Sequence, residues 1–139
     1  GARAGRLALF ALPMAWLLGG LVGLAFPTIT YAPALTTVSF LALGGLVAAE
    51  AQLPAEWVTG LAVVFGLVHG YLNGAAMSQA KLGALGLVGI VSTLFVTVAL
   101  AAALVVAIRV PWGRIAVRVA GSWIAAVGLL LLGWSLRAA

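Results

Sequence analysis

The only histidine of the chain, His69, lies in the apolar segment FGLVHGYLNGAAM, which covers residues 65–77. Asn73 follows it by four positions, so a helix places the imidazole and the side-chain amide on one face. Sites for nickel, zinc and similar divalent metals usually take three or more ligands from His, carboxylate and thiolate groups. These two residues therefore favour hydrogen bonding or helix packing, and a metal site with His69 as a ligand is the alternative.

Few other side chains in the sequence are suited to chemistry. There is no cysteine, and the two acidic residues, Glu50 and Glu56, stand at the ends of apolar segments. We expect both to be solvated or paired with arginine at the membrane surface. The sequence contains no pair of nucleophile and base, no carboxylate pair and no glycine-rich phosphate loop, so no catalytic residue, no enzyme activity and no cofactor are expected.

The composition identifies the solvent that the chain faces. Of its 139 residues 65% are hydrophobic and 6% are charged, whereas a soluble globular domain has about 25% charged residues. Since so few charges cannot build a water-facing surface, the expected environment is the lipid bilayer. The net charge of +5 then concerns membrane topology, and no nucleic-acid partner is predicted.

A membrane-spanning helix needs about 20 mostly apolar residues, and five segments of the sequence qualify. Prolines and charges in FPTITYAP, EAQLPAEW, SQAK and RVPWGR mark the breaks between them. Because the apolar runs are continuous, helices are favoured over a barrel. The prediction is an all-α, polytopic transmembrane helix bundle with five spanning helices in a single domain, residues 1–139. The predicted helices cover about 7–26, 33–49, 57–77, 82–108 and 115–136.

The basic residues predict how these helices are oriented. One side of the membrane receives Arg3, Arg6, Arg109, Arg114 and Arg118, together with both glutamates. The other side receives only Lys81 and Arg137, so the positive-inside rule makes the arginine-rich side cytoplasmic. We therefore expect a multi-pass protein of a bacterial inner membrane, with its N-terminus in the cytoplasm and its C-terminus outside. Aromatic belts are predicted at Trp57 and Trp112 on the inner side and at Tyr31 and Trp134 on the outer side.

Glycines recur at short intervals on three of the predicted helices. The third helix has Gly66, Gly70 and Gly74, the first has Gly19 and Gly23, and the fourth has Gly83, Gly86 and Gly89. Small residues at such spacing allow helix backbones to approach closely in lipid. Close helix packing is the favoured interpretation, and an ion path lined by backbone groups is the alternative.

Three stretches of the sequence resemble the HupE/UreJ family, whose members are small membrane proteins tied to hydrogenase and urease maturation; some act as nickel permeases. LALFALPMAWLLGGLVG resembles the second helix of the family, and RVAGSWIAAVGLLLLG resembles its last helix. FGLVHGYLNGAAM is similar to the central family segment, typically Phe-His-Gly-x-Ala-His-Gly-x-Glu. The resemblance places the chain on the last five of six family helices; the further N-terminal helix, with its His-x5-Asp-His motif, is not in this sequence.

The resemblance also identifies departures from the family pattern. His69 matches the first histidine of the central segment, whereas Asn73 stands where the second is expected and Ala76 where the glutamate is expected. Thr97 occupies a position where family members often carry another histidine. The resemblance therefore implies a polar or vestigial metal site formed by His69, Asn73 and Thr97. Nickel is the metal that this site would bind or transport if it still functions.

Three functions follow from these expectations. The first is a non-transporting accessory subunit, which keeps the helical scaffold and packs against other subunits of a larger membrane complex, either a metalloenzyme or an energy-transducing assembly. The second is a nickel-type divalent-metal permease, in which the missing first helix supplies His and Asp ligands. The third is an accessory protein that delivers metal for hydrogenase or urease maturation without forming a pore.

Overall fold

The computed structural model describes residues 2–28, 33–108 and 110–137. Within these ranges the chain forms five α-helices and no strand, which confirms the predicted all-α class. The helices are α1 (Ala2–Ala25), α2 (Pro33–Ala48), α3 (Ala55–Gln79), α4 (Gly83–Ala107) and α5 (Pro111–Arg137).

Four helices, α1, α3, α4 and α5, are long and apolar enough to cross a membrane. The fifth, α2, has 16 residues and a length of about 24 Å at 1.5 Å per residue. It is shorter than the hydrocarbon core of a bilayer, which is about 30 Å thick. The described residues therefore contain four of the five predicted helices at spanning length, and α2 is a shorter apolar helix; this is consistent with a helical, multi-pass membrane protein.

Three helices begin earlier than the sequence predicts, α3 by two residues and α1 and α5 by more. The first starts at Ala2 and not near residue 7, and the last starts at Pro111 and not near residue 115. The sequence prediction begins both of these helices after an arginine, but arginine is a good helix former and continues a helix into the interface. Proline is favoured at the first helical position because its missing N–H has no acceptor there.

The helices separate into two compact units. The first comprises Gly1–Tyr31 and Leu53–Val106 and contains α1, α3 and α4. The second comprises Ala32–Gln52 and Ala107–Ala139 and contains α2 and α5. The main helix pairs are α1 with α3 in the first unit and α2 with α5 in the second. The single domain expected from the sequence stays a prediction.

The C-terminal end of α2 has a strained residue. Glu50 has a φ of 53°, a left-handed conformation that glycine usually occupies at this position. Its N–H donates to the carbonyl of Val47 at 3.0 Å, and the N–H of Ala51 donates to Leu46 at 3.0 Å. These two bonds form a Schellman motif, which satisfies carbonyl groups at the end of the helix.

The end of α3 repeats this arrangement with a different side chain. Lys81 has a φ of 57°, and its N–H donates to the carbonyl of Ser78 at 3.2 Å. The N–H of Leu82 donates to Met77 at 3.1 Å, which completes the motif. Both helices thus end on a charged residue in a backbone conformation that costs about 1–2 kcal/mol for an L-amino acid.

Candidate site around His69

The site rests on direct backbone contact between α1 and α3. A Cβ added to Gly70 would lie 2.8 Å from the Cα of Trp16, and one added to Gly74 would lie 2.9 Å from the Cα of Gly20. Real Cβ contacts are essentially never this short, so only glycine fits at these positions. The glycines in this contact are Gly66, Gly70 and Gly74 of α3 and Gly19 and Gly23 of α1.

The glycines of α4 are placed differently. A Cβ added to Gly83 or Gly89 would meet no atom within 4 Å in the described part of the chain. The contact of α4 with α1 uses a large side chain instead: Leu87 is 1% exposed, and its Cγ lies 3.2 Å from the position of a Cβ on Gly20. The predicted close approach of the α4 backbone is therefore not found at Gly83 or Gly89.

The imidazole of His69 packs against α1. Its ring stacks on the indole of Trp16, with centroids 5.7 Å apart and planes inclined by 18°. The ring of Phe65 lies one helical turn before it, at 6.4 Å and 39°. The indole N–H of Trp16 is buried and has no hydrogen-bond partner among the described residues, so Trp16 contacts His69 through its ring face and not through its N–H.

The amide of Asn73 is turned back onto its own helix. Its Nδ2 donates to the backbone carbonyl of His69 at 2.8 Å. Both residues are half-buried, and the structure places them on one face of α3, as the spacing of four residues predicts. One amide N–H is therefore occupied within the helix and not by a neighbouring element.

Thr97 does not join this pair through a hydrogen bond. It is exposed on α4, and its hydroxyl donates to the carbonyl of Thr93 at 2.8 Å. Thr93 does the same to Gly89 at 2.9 Å. Such bonds to the carbonyl four residues earlier satisfy a hydroxyl without any partner helix.

The donor set around His69 does not by itself complete a transition-metal site. Among the described residues there is no group of three or more His, Cys, Asp or Glu side chains that would hold a metal ion. Asn73 supplies an oxygen donor, which binds nickel or zinc less well than an imidazole does. A metal bound at His69 would need ligands from outside this cluster.

Sequence reasoning missed Tyr71, two residues after His69. Its hydroxyl donates to the carbonyl of Phe26 at 2.9 Å and accepts the backbone N–H of Thr28 at 3.2 Å. The Thr28 hydroxyl lies 2.8 Å away. The phenol therefore fixes the segment after α1 to the middle of α3. No local pattern signals this bond, because its partners are 43 and 45 residues away.

Sequence reasoning also missed the glycines that join α2 and α5. A Cβ on Gly121 would lie 2.7 Å from the backbone nitrogen of Ala48, and one on Gly128 would lie 3.0 Å from that of Leu41. Gly44 of α2 faces α5 in the same way. The available signal is the spacing of seven residues between Gly121 and Gly128, which places both on one helix face.

These features identify the class of the protein: it is a small multi-pass helical membrane protein whose helices pack through glycines. The family model described as HupE / UreJ protein matches residues 1–131. The chain therefore belongs to the HupE/UreJ family, and its membership supports a membrane accessory or metal-transport role. The family is not known as catalytic. No curated protein and no solved structure matches the chain significantly.

Proposed function

We propose that this chain is a non-catalytic accessory subunit that packs against other membrane proteins and does not itself transport metal. The observation that carries the proposal is the use of the central family segment for packing. His69 stacks on Trp16, and the Nδ2 of Asn73 bonds to the backbone of its own helix. These contacts give the two side chains a role in packing within and between helices, which a metal-transport site does not require.

The exposed surface of the helices is the second support for an accessory role. Large apolar side chains of α5 are exposed along its length, among them Ile115, Trp123, Leu130 and Leu136. Bilayer lipid or other helices must cover such a surface, and the helices of a partner subunit are suited to this. The proposed partner is a larger membrane complex, either a metalloenzyme or an energy-transducing assembly.

Nickel binding provides the first test. The purified full-length chain is dialysed against micromolar nickel, beside the variants His69→Ala and Asn73→Ala. The proposal expects no stoichiometric nickel in any of the three, because a single imidazole and an amide make a weak site. Stoichiometric binding that disappears in His69→Ala would contradict a role without metal.

The accessory role is tested separately from the metal. The protein is expressed at its native level, extracted in a mild detergent and sized on a native gel. The proposal expects a defined band well above the mass of a detergent particle that holds a single copy of the chain, and the same band in His69→Ala. Migration as an isolated chain would contradict a subunit role.

A nickel-type permease or metal-delivery protein is the second candidate. It is supported by the family membership and by the position of His69, which matches the first histidine of the central family segment. Its test is nickel uptake into proteoliposomes that contain the full-length chain. Uptake that His69→Ala abolishes while Thr97→Ala leaves it unchanged would favour the permease over the accessory subunit.

A further inference from the structure

The unit formed by α2 and α5 contains a basic pocket where α2 ends and α5 begins. It is open and has a volume of about 410 Å³. Two arginines and one glutamate carry the charge of the pocket, and a proline and an isoleucine form its apolar wall. The lining residues are Glu50, Pro111, Arg114, Ile115 and Arg118.

The two arginines of the pocket differ in their partners. Arg114 forms an ion pair with Glu50 and donates from its Nε to the same carboxylate at 2.8 Å. Arg118 donates from its Nε to the backbone carbonyl of Ala48 at 3.2 Å. In the part of the chain that the structure describes, Arg118 has no carboxylate partner, so the pocket retains an uncompensated positive charge.

The backbone holds these groups in place. Arg114 and Arg118 are four residues apart and lie on one face in the first turns of α5. Glu50 closes α2 through the Schellman motif, and its left-handed backbone fixes where the carboxylate leaves the chain. The bond from Arg118 to Ala48 anchors the second guanidinium on the last turn of α2.

The surroundings indicate the depth at which the pocket lies. Trp112, in the first turn of α5, is 71% exposed. An exposed tryptophan at the end of a spanning helix is typical of the headgroup layer of a membrane. A basic pocket between helix ends at this depth is typical of sites for anionic lipid headgroups.

We propose that this pocket binds the phosphate group of a ligand whose net charge is negative. The ligand is either an anionic phospholipid or a free phosphate ion. The planar guanidinium of Arg118 presents several N–H donors in a geometry that matches phosphate oxygens. Pro111 and Ile115 give the apolar wall that a lipid glycerol and acyl chain would contact. The carboxylate of Glu50 competes with the phosphate for Arg114, so it weakens binding.

The experiment is a lipid titration of the purified full-length chain in detergent, followed by native mass spectrometry. Phosphatidylglycerol is compared with zwitterionic phosphatidylcholine of the same acyl chains. We expect tighter binding of phosphatidylglycerol, and a loss of about fivefold in affinity in Arg118→Gln, the amount that one arginine near a membrane surface contributes. The control is Arg137→Gln, which changes the last turn of the same helix and leaves the affinity unaltered.

A second variant separates binding from folding. Glu50→Gln removes the competing carboxylate, so the affinity for phosphatidylglycerol rises, and a misfolded protein cannot produce a gain. Millimolar inorganic phosphate distinguishes the sources: displacement of phosphatidylglycerol shows that the free ion also binds in this pocket, and no displacement identifies a site for the lipid headgroup. The proposal is overturned if both phospholipids bind equally, if Arg118→Gln and Arg137→Gln behave alike, or if Glu50→Gln fails to gain affinity.

Discussion

Single residues at the helix ends store strain that substitution can release. Lys81 has a left-handed backbone and no ion pair among the described residues. Lys81→Gly should raise the free energy of unfolding by about 0.5–1 kcal/mol, because relief of the strain exceeds the entropy that glycine adds to the unfolded chain. Unfolding in mixed micelles with increasing dodecyl sulfate measures the change. Lys81→Ala is the control and should not stabilise, since its Cβ retains the strain.

Glu50 has the same left-handed backbone conformation as Lys81, but its substitution by glycine should change the free energy of unfolding less. Glu50→Gly releases the strain and also removes the partner of Arg114. An exposed ion pair contributes about 0.2–1 kcal/mol, which offsets most of the gain. The stability of Glu50→Gly should therefore stay close to that of the parent chain, and a gain as large as that of Lys81→Gly would show that the ion pair is not stabilising.

The ring of His69 is predicted to act through its stacking. His69→Phe keeps an aromatic ring against Trp16, whereas His69→Ala removes it, and an aromatic pair contributes about 0.5–1.5 kcal/mol beyond the burial of its area. The melting temperature in detergent should therefore fall more in His69→Ala than in His69→Phe. Equal losses in the two variants would assign the role of His69 to its ring nitrogens.

At the scale of helices, the contact between α1 and α3 depends on glycine. Gly70→Leu places a large side chain against the backbone of Trp16 and must separate the two helices, so the folded yield in detergent should fall strongly, and further than in His69→Ala. Gly60→Leu is the matched control on α3, because a Cβ at Gly60 meets nothing within 4 Å. A folded Gly70→Leu protein with an unchanged melting temperature would contradict the packing role.

The sequence predicts these elements unevenly, for physical reasons. Continuous apolar runs and flanking prolines predict all five helices, and spacing of four residues identifies Gly66, Gly70 and Gly74 because it repeats on a single face. The pairing of α2 with α5 could not be predicted, since spacing on one helix does not identify its partner. Gly44 and Gly45 show the limit: they are adjacent in sequence, yet a Cβ on Gly44 would meet α5 and one on Gly45 would meet nothing.

The pairing of helices also determines which polar residues come together in a site. The sequence grouped His69, Asn73 and Thr97 through a family pattern, but only the first two are linked by a hydrogen bond among the described residues. The Tyr71 bond and the Arg114–Glu50 pair join positions far apart in the chain. Such contacts depend on which helices become neighbours, and local patterns carry little information about that choice.

At the scale of the whole molecule, the orientation in the membrane is still a prediction, and α5 allows a direct test. Positions 112 and 136 are separated by about 36 Å along a continuous helix, more than the hydrocarbon core of about 30 Å, so they should lie on opposite sides. The arginine asymmetry predicts that residue 112 lies in the cytoplasm. The chain has no cysteine, so Trp112→Cys and Leu136→Cys each introduce one unique thiol and retain every charge.

In intact cells, a membrane-impermeant maleimide should label Leu136→Cys alone, and Trp112→Cys should react only after permeabilisation. Labelling of both variants before permeabilisation would exclude a spanning α5, and labelling of Trp112→Cys alone would reverse the predicted orientation.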